Sequence, residues 1–182
     1  MFISVELPDD VKNKIDLLVT ELEKSTAQVK WVAAKNLHIT LKFLGWVEEK
    51  DLEKIIGLTR QSVADTGSFK AAFGGIGTFP EGKSPRVVWV GTEEGGDGLC
   101  GLANRLEKNL SDAGFRSEER EFKPHLTIGR VKERKGVDDL KIRISKLGNS
   151  KFGEMTVDKI HIMKSTLTPK GPIYDIFKEV KL

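Results

Sequence analysis

A His-x-Thr-x unit occurs twice in this sequence, beginning at His38 and at His125. In an extended strand successive side chains alternate between the two faces, so each histidine points the same way as the threonine two residues later. Around the first unit the residues on the other face are all apolar, namely Leu37, Ile39, Leu41 and Phe43. Each unit is therefore predicted to be a strand with a buried apolar back and a polar, titratable front.

Two such units favour acid–base chemistry on a phosphate group. An imidazole has a pKa near 6.5, so one histidine can accept a proton in its neutral form while another donates one in its charged form. The hydroxyl groups of Thr40 and Thr127 can hydrogen-bond the non-bridging oxygens of a phosphodiester held between the rings. A single unit is more often a structural strand histidine. The second copy in matching context favours a shared site.

Periodicity along the chain predicts the fold class. Helical spacing of apolar residues predicts helices over about 9–24, 48–63 and 99–113. Within the basic segment 131–147, Leu140, Ile144 and Leu147 also keep helical spacing. Strand patterns occupy 2–7, 28–44, 69–79, 86–91, 123–130, 152–163 and 174–180, with a turn-rich loop at 165–172. The short strand connections predict an α+β fold with antiparallel sheets and outer helices. The repeated unit predicts one bilobal domain over 1–182, in which two similar lobes, related by a pseudo-two-fold axis, face a central cleft.

Composition constrains the cellular compartment of the protein more than it constrains the reaction. The formal net charge of +3 is compatible with an anionic ligand. The single cysteine, Cys100, cannot form an internal disulfide, which indicates a reducing compartment and a small core residue. The N-terminus lacks the basic start of a signal peptide, and no segment has the length and apolarity of a membrane span. We therefore expect a cytoplasmic protein that does not associate with membranes.

Two alternative sites are rejected on their context. Residues 77–84 match the phosphate-binding pattern G-x-x-x-x-G-K-[ST], but Pro85 and a strand-like run follow where that loop needs a helix. The segment is instead predicted to connect two strands of a hairpin. The three histidines and Cys100 show no close ligand pairs, so no metal or other cofactor is expected. His161 is predicted to lie on an exposed or half-exposed strand face without a catalytic role.

Three further residues have two interpretations each. Arg130 suits phosphate recognition, but strict alternation points it away from His125 unless the strand bends or bulges at Gly129. Lys42 shares the face of His38, although an exposed lysine on an edge strand is the commoner explanation. Trp31 is either a lid on the core or an aromatic wall beside the polar face.

Five blocks follow one another along the chain, at 2–8, 36–45, 86–91, 124–130 and 165–174. Together they resemble one family, the two-histidine (2H) phosphoesterases. The likeness is to their RNA 2′,3′-cyclic phosphodiesterases, also called LigT-like proteins or 2′-5′ RNA ligases. It runs almost from end to end and includes no departure at the catalytic positions.

The resemblance implies a metal-independent hydrolysis. Water would open the 2′,3′-cyclic phosphate of an RNA end or a nucleotide, tRNA fragments included, to a 2′-phosphomonoester and a 3′-hydroxyl. It implies that His125 is the general base and His38 the general acid, with Thr40 and Thr127 on the phosphate oxygens and Arg130 as a further contact. A nearly symmetric pair could also run the reverse 2′-5′ ligation. From the residues alone, the acid and base roles can be exchanged.

A second hypothesis from another class is an RNA-end-binding accessory module without significant turnover. The net positive charge and the tryptophans Trp31, Trp46 and Trp89 are compatible with phosphate contact and base stacking. Core packing explains those tryptophans at least as well. On either hypothesis we expect a monomer.

Overall fold

The structure is a computed structural model that describes residues 1–82, 84–169 and 171–182. Within these residues, strands and helices are interleaved, and short 3-10 turns at Ala34–Asn36 and Glu49–Asp51 precede the third strand and the second helix. In chain order the elements are β1 (Phe2–Glu6), α1 (Asp9–Glu23), β2 (Val29–Trp31), β3 (His38–Phe43), α2 (Leu52–Val63), β4 (Phe69–Phe79), β5 (Val87–Glu94), α3 (Gly96–Asp112), β6 (His125–Val131), α4 (Val137–Leu147), β7 (Lys151–Val157), β8 (Lys159–Thr168) and β9 (Gly171–Lys181).

The strands form two sheets whose neighbours are antiparallel. The first sheet has the order β3-β1-β8-β9, and the second has the order β2-β6-β5-β4-β7. The predicted α+β class with two antiparallel sheets is confirmed. None of the helices in the described ranges is both long and apolar enough to cross a membrane.

The helices pack behind the sheets with their apolar stripes inward. α1 contacts β7 and α4 contacts β4 of the second sheet, whereas α2 contacts β9 and α3 contacts β3 of the first. In α1 the helical spacing of Val11, Ile15, Leu18 and Leu22 places all four in the interior. Most of the buried apolar residues of both sheets belong to one hydrophobic cluster.

A β-bulge follows the threonine of each motif strand. Opposite β1, Thr40 pairs with Ser4 but Lys42 pairs with Ile3, so Leu41 is the extra residue of β3. Opposite β5, Thr127 pairs with Trp89 but Gly129 pairs with Val88, so Ile128 is the extra residue of β6. An extra residue reverses the alternation beyond it. The two motif strands therefore share the same irregularity at the same position.

The bulge in β3 overturns two predictions. Phe43, expected in the core, is 52% exposed, and Lys42, expected on the polar face as an exposed lysine, is only 2% exposed. Both residues lie beyond Leu41, where strict alternation no longer applies.

Two predictions about the C-terminal part were also wrong. The loop expected at 165–172 is mostly hairpin, because β8 runs to Thr168 and β9 starts at Gly171. Pro172 is tolerated because β9 is an edge strand of its sheet. His161, expected to be exposed or half-exposed, is only 4% exposed, because residues 160–163 are all buried and both faces of β8 are therefore covered here. Nε2 of His161 lies 3.5 Å from Oε2 of Glu179.

The segment 77–84 with the phosphate-loop pattern begins within β4. The strand runs to Phe79, the chain then turns, and β5 returns antiparallel from Val87. Lys83, the lysine of the pattern, lies outside the described residues. The prediction of a hairpin connection is confirmed.

Candidate active site

The two motif strands lie beside each other although they belong to different sheets. β3 is an edge strand of the first sheet, and β6 is the second strand of the other sheet. The two strands are in direct contact. The two motif strands therefore meet where the two sheets meet.

The His38 ring has a polar neighbour at each nitrogen. Nδ1 lies 2.8 Å from the carbonyl oxygen of Asn36, and Nε2 lies 3.0 Å from the hydroxyl of Thr40. A carbonyl oxygen can only accept, so Nδ1 carries a proton and donates it to Asn36. Nε2 is therefore the nitrogen that changes protonation state, and in the neutral ring the Thr40 hydroxyl donates to it.

The His125 ring is held in the corresponding way. Its Nδ1 lies 2.7 Å from the carbonyl oxygen of Lys123, again the residue two positions earlier. The same reasoning leaves Nε2 as the nitrogen available for proton transfer. Thr127 follows two residues later on the same strand face and is half-buried. The motif thus fixes the ring tautomer in both sheets, a role of residues 36 and 123 that their side chains do not signal in the sequence.

Aromatic side chains pack against both imidazoles. Phe2 stacks on His38 with a centroid distance of 4.8 Å, and Tyr174 meets the same ring at a right angle at 5.3 Å. Phe79 meets His125 at a right angle at 5.2 Å. Such contacts fix the ring orientation and exclude water. The sequence placed these aromatics in strands, but the sheet register that brings them to the histidines is not visible in it.

Burial sets the ionisation of His38. Burial lowers the pKa of His38, and the hydrogen bond to Asn36 and the charge of Glu6 oppose this change. Glu6 itself is ion-paired with Lys12 at 3.2 Å. The lowered pKa means that His38 is mainly neutral at pH 7 in the unliganded protein.

Arg130 lies on the same strand face as His125 and Thr127. The condition stated from the sequence was a bend or bulge at Gly129, and the bulge is found one residue earlier, at Ile128. Because the alternation reverses there, Arg130 returns to the face of His125 and Thr127. Burial raises the pKa of Tyr174, and the charge of Arg130 opposes that rise. Arg130 of the second sheet and Tyr174 of the first are therefore close enough to interact electrostatically.

The tryptophans have different surroundings. Trp31 packs against the hydrophobic core, over Gly129, which favours the core-lid interpretation. Trp89 lies over Gly77 in the second sheet. Trp46, in contrast, is 92% exposed.

The sequence matches the 2′-5′ RNA ligase superfamily over residues 7–168. It is 43% identical over 174 residues to an RNA 2′,3′-cyclic phosphodiesterase of Archaeoglobus fulgidus, covering 96% of this chain and 95% of the relative. A protein of the same name from Methanocaldococcus jannaschii is 38% identical, with 98% of each chain covered. Among solved structures, TT0787 of Thermus thermophilus has a TM-score of 0.82 and 27% identity, covering 100% of this chain and 96% of that one. E. coli LigT complexed with 3′-AMP has a TM-score of 0.79 and 24% identity over 100% of this chain and 96% of that one, which shows likeness of fold.

Proposed function

The chain belongs to the 2′-5′ RNA ligase superfamily, and on that premise we propose that it is an RNA 2′,3′-cyclic phosphodiesterase. Water would open the cyclic phosphate to leave a 2′-phosphomonoester and a free 3′-hydroxyl. One observation carries the proposal. Two imidazoles on adjacent motif strands each have Nδ1 bound to the carbonyl two residues earlier, which leaves both Nε2 atoms for proton transfer.

The proposed roles follow those that the resemblance implies. Nε2 of His125 removes a proton from water as the water oxygen forms a bond to phosphorus. The bond between phosphorus and O3′ breaks, and Nε2 of His38 donates the proton that O3′ takes up. The reaction leaves each imidazole in the opposite protonation state, and exchange with solvent restores both. No metal or other cofactor has a step in this scheme.

The remaining site residues would stabilise the phosphate as negative charge builds on its non-bridging oxygens. The Thr40 and Thr127 hydroxyls would donate to those oxygens, and the Arg130 guanidinium could form paired charge-assisted hydrogen bonds. Thr40 can serve in this way once His38 is protonated, because a protonated Nε2 no longer accepts the hydrogen of the Thr40 hydroxyl, 3.0 Å away.

The lowered pKa of His38 means that this ring must gain a proton before it can act as the general acid. A general acid must be protonated, whereas burial favours the neutral ring before the substrate binds. A bound phosphate adds negative charge beside the ring and would raise its pKa. Binding of the anionic substrate would therefore supply the proton donor. Ligation through a 2′-5′ linkage would use the same groups in the same protonation states, with a 5′-hydroxyl of a second RNA end in place of water. Its oxygen would form the bond to phosphorus, its proton would go to His125, and O3′ would leave with the proton from His38.

An RNA-end-binding role without turnover is the second candidate. The fully exposed Trp46 and half-exposed Phe43, both just beyond the first motif, favour it, since exposed aromatics stack on bases. We further propose a cytoplasmic monomer that acts on RNA ends or nucleotides with cyclic phosphates, tRNA fragments among them.

Product analysis on an oligonucleotide with a 2′,3′-cyclic phosphate end, run in EDTA, separates these possibilities. We expect a 2′-phosphate end and no 3′-phosphate, with the rate falling roughly 10²–10⁴-fold in His38→Ala and in His125→Ala. His161→Asn, assayed well below its melting temperature, is the matched histidine control and should keep the parental rate. Tight RNA binding without product would support the second candidate instead.

A further inference from the structure

Lys42 is an almost fully buried lysine on the strand that carries His38. The bulge at Leu41 turns it to the interior, where its Nζ lies 2.6 Å from Oε2 of Glu107 and 2.5 Å from the carbonyl oxygen of Arg116. Removing an ammonium group from water is costly unless it is paired and hydrogen-bonded, as here. The side chain therefore anchors β3 immediately after the His-x-Thr unit.

Glu107 connects Lys42 of β3 to a second segment of the chain. It belongs to α3, and its other oxygen, Oε1, accepts hydrogen bonds from the Ser111 hydroxyl at 2.7 Å and from the Glu118 backbone N–H at 3.0 Å. Burial raises the pKa of Glu107, but the hydrogen bonds from Lys42, Ser111 and Glu118 outweigh it, and the pKa lies below its usual value. Glu107 is thus a stable carboxylate with partners on both oxygens.

The partners Arg116 and Glu118 lie in the connecting segment 113–124, which contains no helix or strand. This connecting segment joins α3 to β6 and ends at the motif of His125. Its carbonyl at Lys123 accepts the hydrogen bond from Nδ1 of His125. One ion pair therefore contacts the strand of the first histidine and the segment that orients the second.

Stability alone does not explain an ion pair at this position in which the Lys42 side chain is buried and Glu107 is partly exposed. Replacing such a pair by apolar residues of similar volume is often neutral or stabilising. The other motif shows an alternative, since Gly129 follows the bulge of β6 where Lys42 follows that of β3, and the Trp31 ring fills the space over that glycine. The Lys42–Glu107 ion pair can do more than stabilise the fold if its geometry holds the two segments that it contacts in place.

We propose that Lys42 and Glu107 are positioning residues that hold the two motifs in register, by fixing the bulge after Thr40 and the connecting segment that leads to His125. The inference rests on the proposed function for its kinetic readout. Without the pair, the connecting segment becomes mobile and the Lys123 carbonyl no longer holds the His125 ring. Misplacement of a reacting group by about 1 Å can cost about 100-fold in rate.

The test compares Lys42→Met, Glu107→Gln and the conservative Lys42→Arg. Lys108→Met is the control, because Lys108 lies on the same helix and forms an ion pair of equal length, 2.6 Å to Asp112, but its side chain is 74% exposed. Three quantities are measured: kcat and KM on the cyclic-phosphate oligonucleotide, amide hydrogen exchange at Glu118, and the His125 tautomer by nitrogen-15 NMR. Glu107→Gln keeps the size of the side chain, so it remains informative if Lys42→Met does not fold.

We expect kcat to fall about 10–100-fold in Lys42→Met and Glu107→Gln with little change in KM. Exchange at Glu118 should quicken, the Nδ1-protonated tautomer of His125 should lose population, and Lys42→Arg should recover part of each change. The inference would be overturned if folded variants kept the parental rate of hydrogen exchange at Glu118 and the parental tautomer of His125, whatever their kcat. An inactive parent would instead refute the proposed function, and exchange and tautomer would still decide the positioning role.

Discussion

Substituting Gly129 by alanine tests the packing behind the second motif. Gly129 follows the bulge of β6 and pairs with Trp31 on β2. A Cβ built on it would lie 2.6 Å from Cε3 of Trp31 and 2.8 Å from Cγ1 of Val29. Both distances are well below van der Waals contact, so the two side chains or the two strands must separate.

Overpacking of this kind costs about 1–3 kcal/mol. For a chain of 182 residues, 1 kcal/mol corresponds to a shift of roughly 2–4 °C in melting temperature. We therefore expect Gly129→Ala to melt about 2–12 °C below the parent. Activity should also fall, because Gly129 lies between Thr127 and Arg130 and any displacement of β6 moves both.

Gly57→Ala is the matched control, measured by thermal unfolding in the same buffer. Gly57 lies in α2, and nothing within 4 Å would meet its Cβ. There alanine should stabilise by about 0.5–1 kcal/mol, since glycine is the poorer helix former. The reasoning is refuted if Gly129→Ala melts at or above the parental temperature while Gly57→Ala behaves as expected.

Three other predictions concern the site itself. Arg130→Ala should lower kcat/KM by about 10–100-fold, and Arg130→Lys should recover only part of this loss, because lysine cannot form paired hydrogen bonds; steady-state kinetics checks both. Tyr174→Ala should raise the pKa of His38 by relieving burial, as followed by NMR titration. Folding lowers the pKa of His38, so in acid the unfolded state binds a proton that the folded state does not. The free energy of unfolding should therefore show no loss from His38 above about pH 6.5 and should decline as the pH falls below that value. Urea unfolding of the parent and of His38→Gln, which lacks this contribution, measures the effect.

The sequence predicted those features that depend on local periodicity. Alternation around His38 and His125 gave the motif strands, and helical spacing gave the four helices, because side-chain direction within one element follows from its own repeat. Where alternation failed, at Lys42 and Phe43, the cause was an extra residue in β3, which depends on pairing with β1.

Other features depend on partners distant in the chain. The burial of His161 results from the covering of both faces of β8. The contacts of Phe2 and Tyr174 with His38 result from the register of all four strands of the first sheet. The hairpin at 165–172 was missed because Pro169, Gly171 and Pro172 are typical of loops. Pro169 lies in the turn of the hairpin, and the edge strand β9 accepts Gly171 and Pro172. Likewise, the side on which Arg130 lies could be stated only conditionally until the bulge at Ile128 was known.

The central claim is that two histidines transfer two different protons in one reaction. A substrate in which sulfur replaces O3′ of the cyclic phosphate tests it directly, because a thiolate leaves without the help of an acid. The claim predicts that His38→Ala regains most of the parental rate on this substrate, whereas His125→Ala, which lacks the base, stays slow. Recovery in His125→Ala with none in His38→Ala would show that the roles are exchanged, and equal recovery in both or in neither would contradict the claim.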